Sequence, residues 1–302
     1  MNGIICIDKP QGFTSFDAVA KLRGILKMKR IGHGGTLDPM ATGVLPIFLG
    51  TATKACDMID NDVKAYTAQM KFGIATDTLD ITGEVLSESV PHFSIAELED
   101  VLNNFRGEIE QTVPMYSAVS VNGQKLYKLA RKGITVERPK KTITIFSLEL
   151  TEFDAENYTA SIDVKCSKGT YIRTLIDDIG SALSCGAVMT ALRRTASCGF
   201  NLDDCLDFDK VKELYESGKL NEVMIPPQEL FKDCTKIKLS SNNTARYKNG
   251  AKLRLDSLNI KNAVDVRYAI FGFDDEFLGT ANIDFEEKVL RIEKNFYSVS
   301  EK

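Results

Sequence analysis

The sequence has few of the residues on which metal sites and disulfide frameworks depend. It contains only two histidines in 302 residues, and its seven cysteines are scattered, with no Cys-x-x-Cys pair. An odd number of cysteines without paired spacing favours neither a disulfide framework nor a zinc site. We therefore expect no metal ion to be bound.

Long apolar runs are absent as well, and no segment approaches the roughly 18 apolar residues that a membrane-spanning helix needs. The chain opens with a strand-like run, Gly3 to Ile7, in place of a basic leader. The contents of 43% hydrophobic and 26% charged residues are typical of a globular protein. We expect a cytoplasmic protein with one large or two ordinary domains and no membrane contact.

The stretch from Gly32 to Pro46 carries a single carboxylate, Asp38, among four glycines and two prolines. Glycine has no side chain to pack and proline lacks a donor, so this composition predicts a shaped loop instead of a helix or a regular ladder. Because Asp38 precedes Pro39, its backbone is biased toward extended geometry. We predict that the loop presents Asp38 to a ligand and does not bury it.

Two familiar nucleotide-binding loops do not fit this stretch. A dinucleotide fingerprint needs a third glycine where Leu37 stands, and a P-loop needs a lysine, which is absent between Arg30 and Lys54. An ordinary Asp-Pro turn is the alternative. The loop alone does not identify a function.

The net charge of −4 argues weakly against a nucleic-acid partner, but the basic residues are segregated along the chain. Segments 21–30, 121–144 and 236–254 hold five, seven and six Lys or Arg residues against one acid, Glu137. Because screening limits the reach of distant charges to about 8–10 Å, such clusters can bind a polyanion. Solvated surface is the alternative for each cluster, but the three together favour RNA or DNA.

Local patterns place several elements along the chain. Capping boxes at Thr14 and Ser94 each predict the start of a helix, and residues 203–217 predict a further one. Strands are predicted at 65–72, 142–150 and 159–166, and the last two form a hairpin. After Pro226-Pro227 come short strands without helices, at 235–239, 265–273, 277–283 and 288–292.

Arg173 falls at a predicted junction between a strand and a helix. A guanidinium there can pair bidentately with a carboxylate or a phosphate, in a geometry that lysine cannot copy. The alternative is a surface arginine that pairs with Asp177 one helical turn on.

Seven segments, in order along the chain, resemble the TruB-type tRNA pseudouridine synthases: residues 8–12, 33–46, Tyr66, 76–80, 114–118, 166–173 and 192–194. The resemblance implies an α+β fold, with a mixed, mainly antiparallel central sheet (the pseudouridine synthase fold) over residues 1–230. It implies a small C-terminal β domain, PUA-like and RNA-binding, over residues 231–302. It also implies isomerisation of uridine at position 55 in the T loop of tRNA. Because this isomerisation involves no redox change and no hydrolysis, we expect no cofactor. The sequence indicates no obligate protein partner, and we expect a monomer.

By the same resemblance, Asp38 is the catalytic carboxylate and Arg173 is its ion-pair partner. Tyr66 stacks on the uracil and serves as the base for the C5 proton. The carboxylate has three open roles: attack at C1′, addition to C6 of the ring, or abstraction of a 2′ proton on the way to a glycal.

The resemblance also assigns three substrate-binding residues. Leu192 packs on the ring, His33 holds the T loop with the target base flipped out, and Asp80 contacts the bound nucleotide. Two rival functions stay open. One is a nucleoside hydrolase with Asp80 or Asp77 as a second carboxylate. The other is a non-catalytic RNA-binding or tRNA-folding module, which the basic clusters serve equally well.

Overall fold

The structure is a computed structural model that describes residues 1–58, 63–258, 260 and 263–297. The strands up to residue 206 are β1 (Gly3–Lys9), β2 (Ile31–His33), β3 (Thr42–Leu49), β4 (Lys64–Phe72), β5 (Ile74–Thr76), β6 (Val85–Glu88), β7 (Gly107–Thr112), β8 (Ser120–Val121), β9 (Gln124–Lys125), β10 (Lys140–Asp154), β11 (Thr159–Cys166), β12 (Ala187–Ser197), β13 (Phe200–Asn201) and β14 (Cys205–Leu206). The helices of this part are α1 (Ser15–Leu26), α2 (Ile95–Asn104), α3 (Leu126–Ala130), α4 (Ile172–Ala182), α5 (Phe208–Glu216) and α6 (Leu220–Val223), with 3-10 turns at Gly50–Ala55, Leu202–Asp204 and Pro227–Phe231.

One large sheet organises this part, in the strand order β14-β1-β3-β12-β4-β11-β10-β7, with β2 beside β3 and β13 beside β12. The pairs β1/β14 and β3/β12 are parallel, and the other pairs in the sheet are antiparallel. The predicted mixed, mainly antiparallel sheet is confirmed.

Local sequence explains where the first helices start. The Thr14 hydroxyl accepts the Asp17 N–H at 3.0 Å, and the Asp17 carboxylate accepts the Thr14 N–H at 2.9 Å, which completes the capping box of α1. Ser94 and Glu97 form the same box at α2. Both predicted helices are confirmed, as is the hairpin of β10 and β11.

Alternation along β4 shows which face of the sheet is covered. Tyr66, Ala68, Met70 and Phe72 are buried, whereas residues between them are partly or fully exposed. Helix α4 packs against β4 and β12 and adds its buried side chains to the same core. Two residues predicted for the site, Tyr66 and Leu192, belong to this core.

The prediction of an irregular loop over residues 32–46 is wrong at both ends. Residues Gly32 and His33 belong to β2, and β3 starts at Thr42 and runs through Pro46. Pro46 stands opposite Cys6 in the β1/β3 ladder. On the other edge of β3 it lies between the residues that pair with β12 and those that pair with β2, so its missing donor interrupts neither of those two ladders. Gly43 has φ +99°, and a Cβ there would lie 2.2 Å from the Arg194 carbonyl oxygen. The strand β12 can therefore lie this close to β3 only because residue 43 is a glycine.

The helix predicted over residues 203–217 is shorter than expected. Residues Leu202–Asp204 form a 3-10 turn, Cys205 and Leu206 form β14, and α5 starts at Phe208. Asp207 is the N-cap, because its carboxylate accepts the Lys210 N–H at 2.7 Å. Aspartates upstream of Phe208 bond to local backbone instead of entering the helix.

The C-terminal part forms a second sheet, in the order β15-β17-β18-β19-β16. Its elements are β15 (Thr235–Lys238), α7 (Ser241–Lys248), β16 (Leu253–Arg254), a 3-10 turn at Leu255–Ser257, β17 (Tyr268–Phe271), β18 (Phe277–Asp284) and β19 (Val289–Asn295). The expectation that no helix occurs here is wrong, because α7 lies between β15 and β16. Ser240 is the N-cap of this helix. It buries only Asn243 and Tyr247, four residues apart, so its apolar pattern is too sparse to stand out in the sequence.

The two sheets meet through a cluster of aromatic side chains. Phe277 and Phe296 of the C-terminal part pack with Phe231, and the same buried cluster includes Phe48 and Met58 of the N-terminal part. Over the described ranges, no helix has the length and apolar character needed to cross a membrane.

Candidate active site

Asp38 and Arg173, 135 residues apart in the chain, form an ion pair. Arg173 Nε lies 3.0 Å from Asp38 Oδ2, and Arg173 Nη2 donates to Asp38 Oδ1 at 3.3 Å. The guanidinium therefore presents two donors to the two carboxylate oxygens, which fixes the orientation of the carboxylate as well as its position. The predicted pairing of these two residues is present in the structure.

The other donors of Arg173 reach two further loops. Nη1 donates to the Thr78 carbonyl at 2.9 Å, and Nη2 donates to the Tyr116 carbonyl at 3.0 Å. The side chain is only 7% exposed and stands in the first turn of α4. The alternative of a surface arginine paired with Asp177 is wrong, because the guanidinium is buried and turned toward Asp38.

The carboxyl group of Asp38 is in a mixed environment, and its side chain is 34% exposed. Burial raises its pKa above the ordinary value, the charge of Arg173 opposes this, and the charge of Asp80 adds to the rise. The predicted presentation of Asp38 is confirmed in part, because the carboxylate is accessible on one side and shielded on the other.

Two buried cations that the sequence reasoning left without a role hold the Asp38 loop. Arg194 is fully buried, and its guanidinium donates to the carbonyls of Val44, Thr36 and Gly35 at 2.7, 3.3 and 3.2 Å. Lys9 is also fully buried, and its ammonium donates to the carbonyls of Pro10 and Phe13 in the turn after β1 and lies 3.5 Å from the Pro39 carbonyl oxygen of the Asp38 loop. Burial lowers the pKa of Lys9 to about 8. No local pattern reveals the contacts of Arg194 or the contact of Lys9 with Pro39, since these join segments far apart in the chain.

Tyr66 and Leu192 lie on one face of the sheet. Tyr66 stands opposite Arg194 in the β4/β12 ladder, and Leu192 stands opposite Ala68, two residues from Tyr66 on the same strand. Both side chains are nearly buried, at 7% and 8% exposure, and belong to the core that α4 covers. Both side chains therefore lie on the face of the sheet that is covered by α4, the helix that carries Arg173.

His33 ends β2, one residue before the glycines of the Asp38 loop. Its ring is half-buried, burial lowers its pKa, and among the described residues its Nδ1 atom has no hydrogen-bond partner. Its predicted contact with a T loop stays a prediction.

Asp80 is buried within its own loop. Its Oδ1 accepts from the hydroxyls of Thr78 and Thr82 at 2.9 and 2.6 Å, and its Oδ2 lies 3.7 Å from Arg173 Nη1. The carboxylate therefore faces Arg173 from the side opposite Asp38, and its predicted contact with a nucleotide stays a prediction. In the described part of the chain, no group of three or more His, Cys, Asp or Glu side chains is arranged to hold a metal ion.

The three basic clusters differ in how their charges are paired. Four of the six basic residues of cluster 236–254 pair with carboxylates: Lys238 with Asp275, Lys248 with Glu276, Lys252 with Glu287 and Arg254 with Asp256. Within the described ranges, cluster 121–144 has one such pair, Lys140 with Glu110, and cluster 21–30 has none. Unpaired positive charge is therefore concentrated on the part of the protein that carries Asp38.

Comparison with known proteins identifies the family. The model described as TruB family pseudouridylate synthase, N-terminal domain, matches residues 23–172, and the model described as tRNA pseudouridylate synthase B C-terminal domain matches residues 173–232. The chain is 39% identical to tRNA pseudouridine synthase B of Clostridium kluyveri over 293 residues, which are 97% of this chain and 99% of that protein. It is 45% identical to the protein of that name from Lactobacillus acidophilus over 264 residues, 85% of this chain and 88% of that protein.

Solved structures show the same fold. A crystal structure of a Cbf5-Nop10-Gar1 complex matches 98% of this chain and 85% of its own, with a TM-score of 0.74 and 26% identity. A structure of an H/ACA RNP bound to a substrate RNA containing 2'-deoxyuridine matches the same shares, with a TM-score of 0.71 and 25% identity. The predicted fold class is confirmed.

Proposed function

Because the chain belongs to the TruB family of pseudouridylate synthases, we propose that it isomerises uridine to pseudouridine at position 55 in the T loop of tRNA, with Asp38 as the catalytic carboxylate. The observation that carries the proposal is the two-point pairing of Asp38 with the buried Arg173. A carboxylate that is oriented by a guanidinium and still one-third exposed is available to an incoming ribose or base.

The bonds that break and form in this isomerisation determine what the active site must provide. It breaks the N1–C1′ bond, rotates the base, forms a C5–C1′ bond, and moves a proton from C5 to solvent while N1 gains one. An ionised carboxylate serves each of the three roles open to it, at C1′, at C6 or at the 2′ proton. Arg173 favours the ionised form and holds it in one orientation, so the carboxylate needs little rearrangement when the substrate arrives.

The flipped base needs a site that replaces its lost stacking. Flipping costs a few kcal/mol, and stacking on an aromatic ring returns about 1–3 kcal/mol per base. We assign this stacking to Tyr66, whose hydroxyl also serves as the base for the C5 proton, with Leu192 against the ring. His33 holds the T loop, and Asp80 contacts the nucleotide once the RNA is bound.

The charge distribution supports a tRNA substrate held mainly by the N-terminal part. Clusters 21–30 and 121–144 keep nearly all of their positive charge unpaired, and they flank the Asp38 and Arg173 loops in the sequence. We assign phosphate contacts to them and a PUA-like accessory role to residues 231–302, with the domain boundary at residue 230. The enzyme then works as a monomer in the cytoplasm, without an obligate protein partner.

The test combines two measurements on a T-arm stem-loop labelled with tritium at C5 of its uridines. Isomerisation releases the C5 hydrogen while the base stays on the strand, whereas hydrolysis frees the base and simple binding releases nothing. We expect tritium release in proportion to pseudouridine recovered from the RNA. Tight binding without release would leave only the RNA-binding role, and free uracil would identify a hydrolase.

The catalytic assignment is tested by Asp38→Asn, with Asp154→Asn in the hairpin turn of β10 and β11 as the matched control. The substitution is nearly isosteric and removes the charge, so single-turnover conversion should fall by many decades while RNA affinity is kept. Conversion within about tenfold of the unsubstituted enzyme, roughly 1.4 kcal/mol of barrier, would refute the role of Asp38.

A further inference from the structure

Leu37, the residue before Asp38, forms hydrogen bonds to one side chain through both its backbone N–H and its carbonyl group. The Leu37 N–H donates to Ser15 Oγ at 2.8 Å, and the Ser15 hydroxyl lies 3.3 Å from the Leu37 carbonyl oxygen, to which it donates. Ser15 and Leu37 are 2% and 3% exposed. A single buried hydroxyl therefore takes the place of a strand partner for Leu37.

The residue after Asp38 is held by the same segment of chain. The Pro39 carbonyl accepts the Gly12 N–H at 2.8 Å and lies 3.5 Å from the Lys9 ammonium. Asp38 therefore stands between two residues that are both fastened to residues 9–15. Its position relative to Arg173 depends on where that segment lies.

Ser15 is the first residue of α1, but the helix does not use its hydroxyl. The N-cap is Thr14, whose hydroxyl bonds within the first turn of the helix. Ser15 turns away from that turn, into the core beside Leu37. Helix formation therefore explains Thr14 and leaves the buried hydroxyl of Ser15 to the loop.

We propose that Ser15 is a positioning residue for Asp38, which sets the catalytic carboxylate against Arg173 through Leu37. This inference rests on the proposed function. Without the hydroxyl, the Leu37 N–H and carbonyl are buried without their partner, and the loop shifts to satisfy them. A misplacement of about 1 Å in a catalytic group costs on the order of 100-fold in rate.

The test compares Ser15→Ala with Thr14→Ala. Both substitutions lie at the start of the same helix, but Thr14→Ala removes the helix cap, whereas only Ser15→Ala removes the contact with Leu37. We expect Ser15→Ala to lower the single-turnover rate at saturating enzyme about 100-fold, with the half-saturating enzyme concentration for T-arm RNA unchanged. Thr14→Ala should lower the melting temperature and leave the rate near that of the unsubstituted enzyme. Equal rate losses in both variants, or an undiminished rate in Ser15→Ala, would overturn the proposal.

Hydrogen exchange measured on peptides covering residues 36–41 provides a readout that needs no activity. Ser15→Ala should speed exchange at the Leu37 amide, whereas Thr14→Ala should not, and Ser15→Cys, with its weaker hydrogen bonds, should fall between Ser15→Ala and the unsubstituted enzyme. If Ser15→Ala exchanged faster but the unsubstituted enzyme were inactive, the contact between Ser15 and Leu37 would be confirmed and the proposed function rejected. Unchanged exchange, or faster exchange with an unchanged rate in an active enzyme, would reject the positioning role.

Discussion

Replacing Arg173 with lysine keeps the charge beside Asp38 but removes the planar fork. Arg173 contacts both oxygens of Asp38 and the carbonyls of Thr78 and Tyr116. An ammonium group at the end of a flexible chain cannot hold all four acceptors in this arrangement. We expect the carbonyls of Thr78 and Tyr116 to lose their partner.

The magnitude follows from those lost contacts. A buried acceptor without its partner costs about 1–3 kcal/mol, so two lost carbonyl contacts lower the free energy of unfolding by about 2 kcal/mol at the low end. Loss of the two-point orientation of Asp38 should lower the single-turnover rate on the order of 100-fold. RNA affinity should change little, because the guanidinium is buried and turned toward the protein.

Single-turnover conversion of a T-arm stem-loop at saturating enzyme measures the rate, and thermal melting measures stability. Arg106→Lys is the matched control, since Arg106 donates from Nε and Nη2 to the Leu148 carbonyl in another part of the sheet. If Arg173→Lys converted RNA as fast as Arg106→Lys, the orientation of Asp38 by a guanidinium would not matter to the reaction.

Two further predictions concern pH and salt. Burial and the charge of Asp80 raise the pKa of Asp38 against the pull of Arg173, and the reaction needs the ionised form, so the single-turnover rate should fall with decreasing pH at a midpoint above the 3.8 of an ordinary aspartate. A midpoint at or below 3.8, in a range where the fold is intact by circular dichroism, would contradict this environment for the carboxyl group. Lys128→Gln with Lys132→Gln should reduce the slope of log affinity against log salt by about 1–2, since each lost phosphate contact reduces it by about 0.7–0.9. The control is Lys248→Gln with Lys252→Gln, which removes cations that are already paired with Glu276 and Glu287 and should leave the slope unchanged. An equal reduction of the slope in both double variants would show that cluster 236–254 also contacts the RNA.

The sequence by itself determined those features that depend on neighbouring residues. The capping boxes at Thr14 and Ser94 start helices where predicted, because cap and helix lie within one turn of each other. The β10/β11 hairpin follows from two alternating runs and a short turn. Arg173 lies at the predicted junction between a strand and a helix, since β11 ends at Cys166 and α4 starts at Ile172. The resemblance of seven segments to one family then supplied the fold and the proposed site.

Contacts between distant segments cannot be derived from local patterns, and only the resemblance predicted one of them, the pairing of Asp38 with Arg173. The pairing of Asp38 with Arg173 brings together residues 135 positions apart, and no periodicity encodes which carboxylate a buried guanidinium will meet. The roles of Lys9, Ser15 and Arg194 arise in the same way, since each contacts backbone groups of the Asp38 loop from another part of the chain.

The C-terminal charges show the physical reason most clearly. Cluster 236–254 contains no acid in the sequence, yet folding places Asp275, Glu276 and Glu287 against its lysines. Charge interactions depend on distance in space, and screening confines them to about 8–10 Å. A chain segregated into acidic and basic segments can therefore fold into a surface on which the charges are paired. Only the packing of the C-terminal sheet determines which of its lysines are paired.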